Sequence, residues 1–159
     1  MEYRKINTFR DLEAWKEGHK LVLMIYGATR SFPKEEMFGL TSQMRRAAVS
    51  ITSNISEGFT RQSYKEKVQF YSMSGGSITE IQNQLDISKD VGYLPLKSYN
   101  EIGDQSVKVH KILNGLITAS RLRSAKTPYS KSYILASIVL LTSIFYTPYS
   151  NFHIPTPNF

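Results

Sequence analysis

The sequence predicts an all-α protein. The expected architecture is an antiparallel up-down four-helix bundle over residues 1–124, followed by an apolar C-terminal tail, 125–159, that is appended or poorly structured. Four segments repeat apolar residues at spacings of three and four, the signature of one buried helix face. Their connections, roughly four to eight residues long, make antiparallel neighbours. No segment before residue 125 reads as a strand. A bundle is the simplest way to bury four single stripes, and 159 residues can enclose a real core.

The first helix is expected from about Phe9 to Ser31. Thr8 can cap it, Asp11 lies near its positive end, and Pro33 stops it. Leu12, Trp15, His19, Val22 and Tyr26 share one face. The second is expected from about Glu36 to Ser56, with Leu40, Met44, Ala47, Ile51 and Ile55 as its stripe and Gly58 as a C-terminal cap. The third runs from near Ser63 to Gly92, where Gly92 and Pro95 punctuate a turn. Its stripe is Tyr64, Val68, Tyr71, Gly75, Ile78, Gln82 and Leu85. The fourth spans about Leu96 to Arg123 and turns Tyr99, Ile102, Val109, Leu113, Leu116 and Ile117 inward.

Beyond Ser124 the character changes. Residues 132–159 carry no charge, and Thr127-Pro128-Tyr129-Ser130 recurs as Thr147-Pro148-Tyr149-Ser150. The apolar run Tyr133–Tyr146 spans about 21 Å as a helix, short of the roughly 30 Å hydrocarbon core. A membrane anchor is therefore not expected. A loosely attached appendage is the preferred reading, beside an extra packed element or a repeat created at a shifted gene end.

A hydrophobic content of 41% favours a folded chain. The absence of cysteine excludes disulfides, thiolate nucleophiles and Cys-ligated metal sites. The opening MEYRKINTFRDLEAW has no apolar signal core, so a cytoplasmic location is expected. The formal net charge is +7 and the pI about 9.6, a balance that admits nucleic acid or an anionic surface as partner. From Gln105 to Lys131 there are six basic residues (Lys108, Lys111, Arg121, Arg123, Lys126, Lys131) and no acidic one.

The second helix carries the most unusual pattern. With about 100° per residue, Asn54 falls on the buried side of the stripe. It is there either as a ligand-binding amide or as a satisfied core amide fixing register. Arg46 and Glu57 share one flank, and Arg45 faces the other. Glu57 sits at the negative end of the helix dipole, so a cationic partner from another helix or subunit is expected. Arg45 is expected to be free for a ligand. On the third helix Phe70 and Met73 lie opposite the stripe, and Ser72, Gly76, Thr79 and Asn83 form a small-residue ridge. Both features point to oligomerisation.

These residues are similar to a known family. The chain resembles the bacterial four-helix bundle proteins first noted as products of intervening sequences in 23S rRNA genes. The resemblance covers roughly residues 7–123. It rests on FRDLEAW, on Tyr26 with FPKEE, on GLTSQMRRAAVSITSNISEGF, on FYSMSGGSITEI and on a Gly-Tyr-Leu turn. It implies a ring-like homopentamer. It also implies kinship with accessory proteins of diversity-generating retroelements, which associate with nucleic acid and a reverse transcriptase. Arg45, Arg46, Asn54 and Glu57 match signature positions, and no catalytic role comes with them. The tail after Ser124 has no counterpart in the family pattern.

An enzyme is not expected. His19, His110 and His153 form no metal-type pair, and no Glu-x-x-His motif of the ferritin type occurs. His19 is expected in the core or at its boundary, and Glu13 and Glu17 on a solvated charged face. No cofactor is implied. The expected function is that of an oligomeric accessory protein that binds RNA or DNA through Lys108, Lys111, Arg121 and Arg123. Arg45, Arg46, Arg61, Lys65 and Lys67 are alternates. The competing reading is an oligomeric protein-interaction scaffold.

Overall fold

The structure is a computed structural model that describes residues 6–126. Contacts divide the chain into Met1–Ala125 and Lys126–Phe159. The expectations for the tail, including its repeat and its apolar run, lie outside the described residues. Four helices follow in order: α1 (Glu13–Ala28), α2 (Leu40–Thr60), α3 (Tyr64–Asp90) and α4 (Leu96–Lys126). Among the described residues there is no strand, and the helices form an all-α four-helix bundle.

The first helix starts later than the sequence implies. Phe9–Asp11 forms a 3-10 turn, Leu12 is extended (φ −68°, ψ 126°), and α1 begins at Glu13. Asp11 Oδ2 accepts the backbone N–H of Asn7 at 3.0 Å and of Thr8 at 2.9 Å, which fixes the turn. The buried face of α1 is also rotated from the expected stripe. Ala14, Glu17, Gly18, Leu21, Val22 and Ile25 are buried, whereas His19 and Tyr26 are exposed. The reason is close approach of α2. A Cβ on Gly18 would already sit 3.4 Å from Thr52 and 3.5 Å from Ile51, so small residues, not rings, face the partner. Trp15, partly buried at the edge of the core, stacks on the exposed His19, centroids 5.0 Å apart and planes at 6°.

The second helix is shifted too. Lys34–Met37 is a 3-10 turn, and Glu36 folds back so that its Oε2 accepts the N–H of Leu40 at 2.8 Å. Glu36 thus caps α2 and is not part of it; a carboxylate suits the positive helix end. Gly58 is not a cap. It is buried inside α2, where a Cβ would lie 2.6 Å from the Tyr71 ring, so α3 crosses directly over it. Lys67 takes the capping role, donating to the carbonyls of Phe59 (2.6 Å) and Gly58 (3.3 Å). Its cation there opposes the negative helix end.

α3 starts at a Ser63 cap whose Oγ accepts the Glu66 N–H at 3.2 Å. Its face toward α2 holds buried serines as well as aliphatic residues. Ser74 Oγ donates to the Ile51 carbonyl at 3.0 Å, and Ser77 Oγ to Ser50 Oγ at 2.9 Å. Hydroxyls that find acceptors offset the cost of leaving water, and their small size lets the helices close up. Gly92, at φ +78°, ends α3 in the left-handed conformation that favours glycine. α4 completes the bundle by burying Ile102, Val109, Leu113 and Ile117 against Leu21, Ile78 and Ile81.

Candidate nucleic-acid interface

The structure sorts the candidate cations by what already occupies them. Arg45 is not free: its Nε donates to Thr29 Oγ1 at 2.9 Å, and its guanidinium lies 5.1 Å from the centre of the Tyr26 ring. It ties α2 to the end of α1. Arg46 pairs with Glu80 of α3 at 2.9 Å. Arg61 pairs with Glu57 and lies 4.5 Å over the Phe70 ring. Glu57 therefore finds its cation at the cap of its own helix, because Arg61 is one turn further on. Phe70, expected on the outer face, is half-buried under that guanidinium, whereas Met73 is exposed. Asn54 donates backwards to the carbonyl (2.9 Å) and hydroxyl (3.0 Å) of Ser50 and so joins the Ser50–Ser77 contact between α2 and α3.

Lys108 meets a carboxylate that the sequence reading had placed on a solvated face. Glu17 is 2% exposed. Its Oε2 accepts Lys108 Nζ and Gln105 Nε2, each at 2.9 Å, and its Oε1 accepts Lys20 Nζ at 2.6 Å. The carboxylate is covered, not deep, because the two lysines above it are themselves largely exposed. Donation from Gln105, then from Lys20 and Lys108, holds its pKa down at about 2 against an ordinary 4.5. The group closes the α1–α4 seam.

Lys65, Lys111 and Arg121 remain. Each is exposed, and none has an acidic partner among the described residues. The basic run of α4 does not form one patch, since about 100° per residue sends its members in different directions. Lys108 and Arg123 lie on the flank toward α1, Lys111 points outward, and Arg121 lies on the flank toward α3.

That last flank borders a groove. Ser72, Gly75 and Thr79 of α3 and His110, Asn114, Ile117, Thr118 and Arg121 of α4 line about 440 Å³. Arg121 and Lys65 also line an adjoining space of about 310 Å³. Further along the same seam Asp86, Tyr99 and Asp104 line a third space, which is acidic. Tyr99 Oη donates to Asp86 Oδ1 at 2.7 Å there, and Gln82 Nε2 to Ser106 Oγ at 3.1 Å. The sequence reading named Arg121 and Lys65 but missed His110, Asn114 and Thr118. Their spacing of four, with Arg121 three further on, marks one polar flank.

Among the described residues no group of three or more His, Asp or Glu could hold a metal, and no helix is long and apolar enough to cross a membrane.

The chain is similar in fold to the 1.70 Å crystal structure of a protein of unknown function from the S23 ribosomal protein family of Bacteroides thetaiotaomicron VPI-5482. The TM-score is 0.62 at 20% identity, covering 66% of this chain and 95% of that one. No curated protein matches the chain. The family model described as 23S rRNA-intervening sequence protein matches residues 10–115, from the 3-10 turn before α1 through most of α4. On that match the chain belongs to the 23S rRNA-intervening sequence protein family.

Proposed function

We propose that the protein is a non-enzymatic, oligomeric helical bundle that associates with RNA or DNA through a basic surface. One observation carries this reading: Lys65, Lys111 and Arg121 are exposed and have no acidic partner among the described residues, while Arg45, Arg46, Arg61, Lys67 and Lys108 are engaged in holding the bundle together. Unpaired Lys and Arg neutralise phosphates and release counterions with little regard to sequence. No reading head such as a helix-turn-helix supplies base contacts, so discrimination between sequences is weak. The absence of an enzymatic role is also proposed. Glu17, the carboxylate with the strongest shift, is held ionised by three side-chain donors, which does not suit a group that takes up and releases protons near neutral pH.

We further propose five copies and a reverse transcriptase as a protein partner, which the resemblance supports, and a location in the cytoplasm. Copies arranged in a ring multiply each weak cationic contact. The test is binding of the purified full chain to labelled RNA and DNA at two salt concentrations, with mass from light scattering. The expected result is an oligomer whose affinity falls steeply with salt. An oligomer that binds neither nucleic acid at low salt overturns the reading.

A scaffold function has its own support. Phe38 is 90% exposed, and Met37, Val91 and Leu96 are exposed at the same end of the bundle. An apolar interface there holds its partner independently of salt, which separates it from phosphate binding.

A further inference from the structure

The seam between α3 and α4 has two unlike halves. In the acidic half direct hydrogen bonds close it, from Tyr99 to Asp86 and from Gln82 to Ser106. In the other half the polar groups of the lining are unconnected and stand beside Ile117, Val68 and Ala125. His110, Asn114, Thr118 and Arg121 of α4 and Ser72 of α3 have no side-chain hydrogen bond to the described protein, and Thr79 bonds only to the Gly75 carbonyl of its own helix. No acidic residue lines this half. Gly75 keeps the floor open, since a Cβ there would have only Leu113 within 4 Å, at 3.9 Å.

Such a lining has a definite chemical preference. A guanidinium, an ammonium at the mouth, an imidazole, an amide and the two hydroxyls of Ser72 and Thr118 can all donate hydrogen bonds, and no carboxylate competes. That suits a phosphate oxyanion. Apart from the His110 imidazole no aromatic ring lines the groove, so the lining offers more to a phosphodiester backbone than to stacked bases. Asp86 and Asp104 repel an anion at the far end, which limits the footprint to the stretch from Lys65 to Thr79. That stretch is about 21 Å along α3, long enough for more than one phosphate of an extended strand.

We propose that the basic half of the α3–α4 groove seats the phosphodiester backbone of a single-stranded nucleic acid, with Arg121 and Lys65 as the charge contacts and His110, Asn114, Ser72 and Thr118 as hydrogen-bond donors. This rests on the nucleic-acid reading above and assigns its site.

The full chain is titrated with a labelled oligothymidylate, and separately with inorganic pyrophosphate, at several salt concentrations. Three variants accompany it: Arg121→Gln removes the charge, Thr118→Glu adds an anion at an exposed position, and Gly75→Leu fills the groove without changing charge. Thermal melts confirm folding. The expected result is about tenfold weaker oligothymidylate binding for Arg121→Gln, comparable losses for the other two, and a salt slope lower by about 0.7 for Arg121→Gln. Unchanged binding in folded Thr118→Glu and Gly75→Leu overturns the groove and leaves the general nucleic-acid reading standing. Pyrophosphate that shifts the His110 resonances, with no oligothymidylate binding, overturns the strand as ligand and makes the groove a seat for a small phosphate compound. No binding of either probe removes both proposals.

Discussion

Lys108 Nζ lies 2.9 Å from Glu17 Oε2 and joins the middle of α4 to the middle of α1. With Lys20 and Gln105 on the same carboxylate, Glu17 keeps its charge under cover because every lone pair it turns inward is met. The depressed pKa makes this a pH-dependent contribution. A carboxyl at about 2 in the fold and 4.5 outside it stabilises the fold fully above 4.5, and loses that stabilisation as pH falls toward about 2. Glu17→Gln is therefore expected to lower the urea midpoint clearly at pH 7, with the gap to wild type narrowing between pH 4.5 and 2. A gap of constant size across that range would show that Glu17 acts through shape and not through charge.

Gly58 faces the Tyr71 ring with no room for a methyl group. The hypothetical Cβ lies 2.6 Å from Tyr71 Cε1 and 3.1 Å from Phe70 Cβ, and the Tyr71 ring is itself buried. In Gly58→Ala the gain in helix propensity, about 1 kcal/mol, meets an overpacking cost of about 1–3 kcal/mol. The ring has no free space to retreat into, so the cost wins and the melting temperature falls. Gly76, with nothing within 4 Å of its hypothetical Cβ, is the control. Gly76→Ala is expected to raise the melting temperature, and a drop of the same size in both variants would discredit the packing account.

Glu36 and Gly39 form one cap. A Cβ at Gly39 would lie 2.5 Å from the Glu36 carboxylate that holds the Leu40 N–H. The carboxylate is the mobile end of its side chain, so Gly39→Ala displaces it without a backbone clash and forfeits the cap. Losing such a cap costs about 0.5–2 kcal/mol. Glu36→Ala and Gly39→Ala are thus expected to be strongly non-additive in a double-mutant cycle by denaturant unfolding. Additive losses would mean that Gly39 is needed for its backbone and not for the carboxylate.

These residues also show where the fold was legible from sequence and where it was not. The α2 stripe of Met44, Ala47, Ile51 and Ile55 is buried as expected, because large aliphatic residues at helical spacing have one place to go. Gly92 ends α3 for the backbone reason its identity implies. The face of α1 was read in part: Leu12 and Val22 are buried as expected, but His19 and Tyr26 are not, and the contact with α2 is made through small residues such as Gly18 that an apolar count passes over. The buried serines of α3 escape any hydrophobic count, since their burial depends on acceptors in α2. For the candidate interface, the charge of α4 was visible, but its partition was not. Lys108 is occupied by a carboxylate far away in the chain, and helical phase separates it from Arg121.

Arg45 and Lys65 then give opposite expectations from the same charge. Arg45 Nε donates to Thr29 Oγ1, whose own hydroxyl lies 2.9 Å from the Ile25 carbonyl, so the guanidinium belongs to a part-buried chain that closes α1 on α2. Lys65 lies at the mouth of the groove and makes no ion pair among the described residues. Arg45→Gln is expected to destabilise by about 1–2 kcal/mol, with nucleic-acid affinity per folded molecule unchanged. Lys65→Gln is expected to stay within about 0.5 kcal/mol of wild type in stability, while lowering the salt slope of single-strand binding by about 0.7. Denaturant unfolding and salt-dependent titration of both variants decide the matter. If Arg45→Gln lowers the slope and Lys65→Gln does not, the ligand rides on the α1–α2 side, and the cations of the groove serve only solubility.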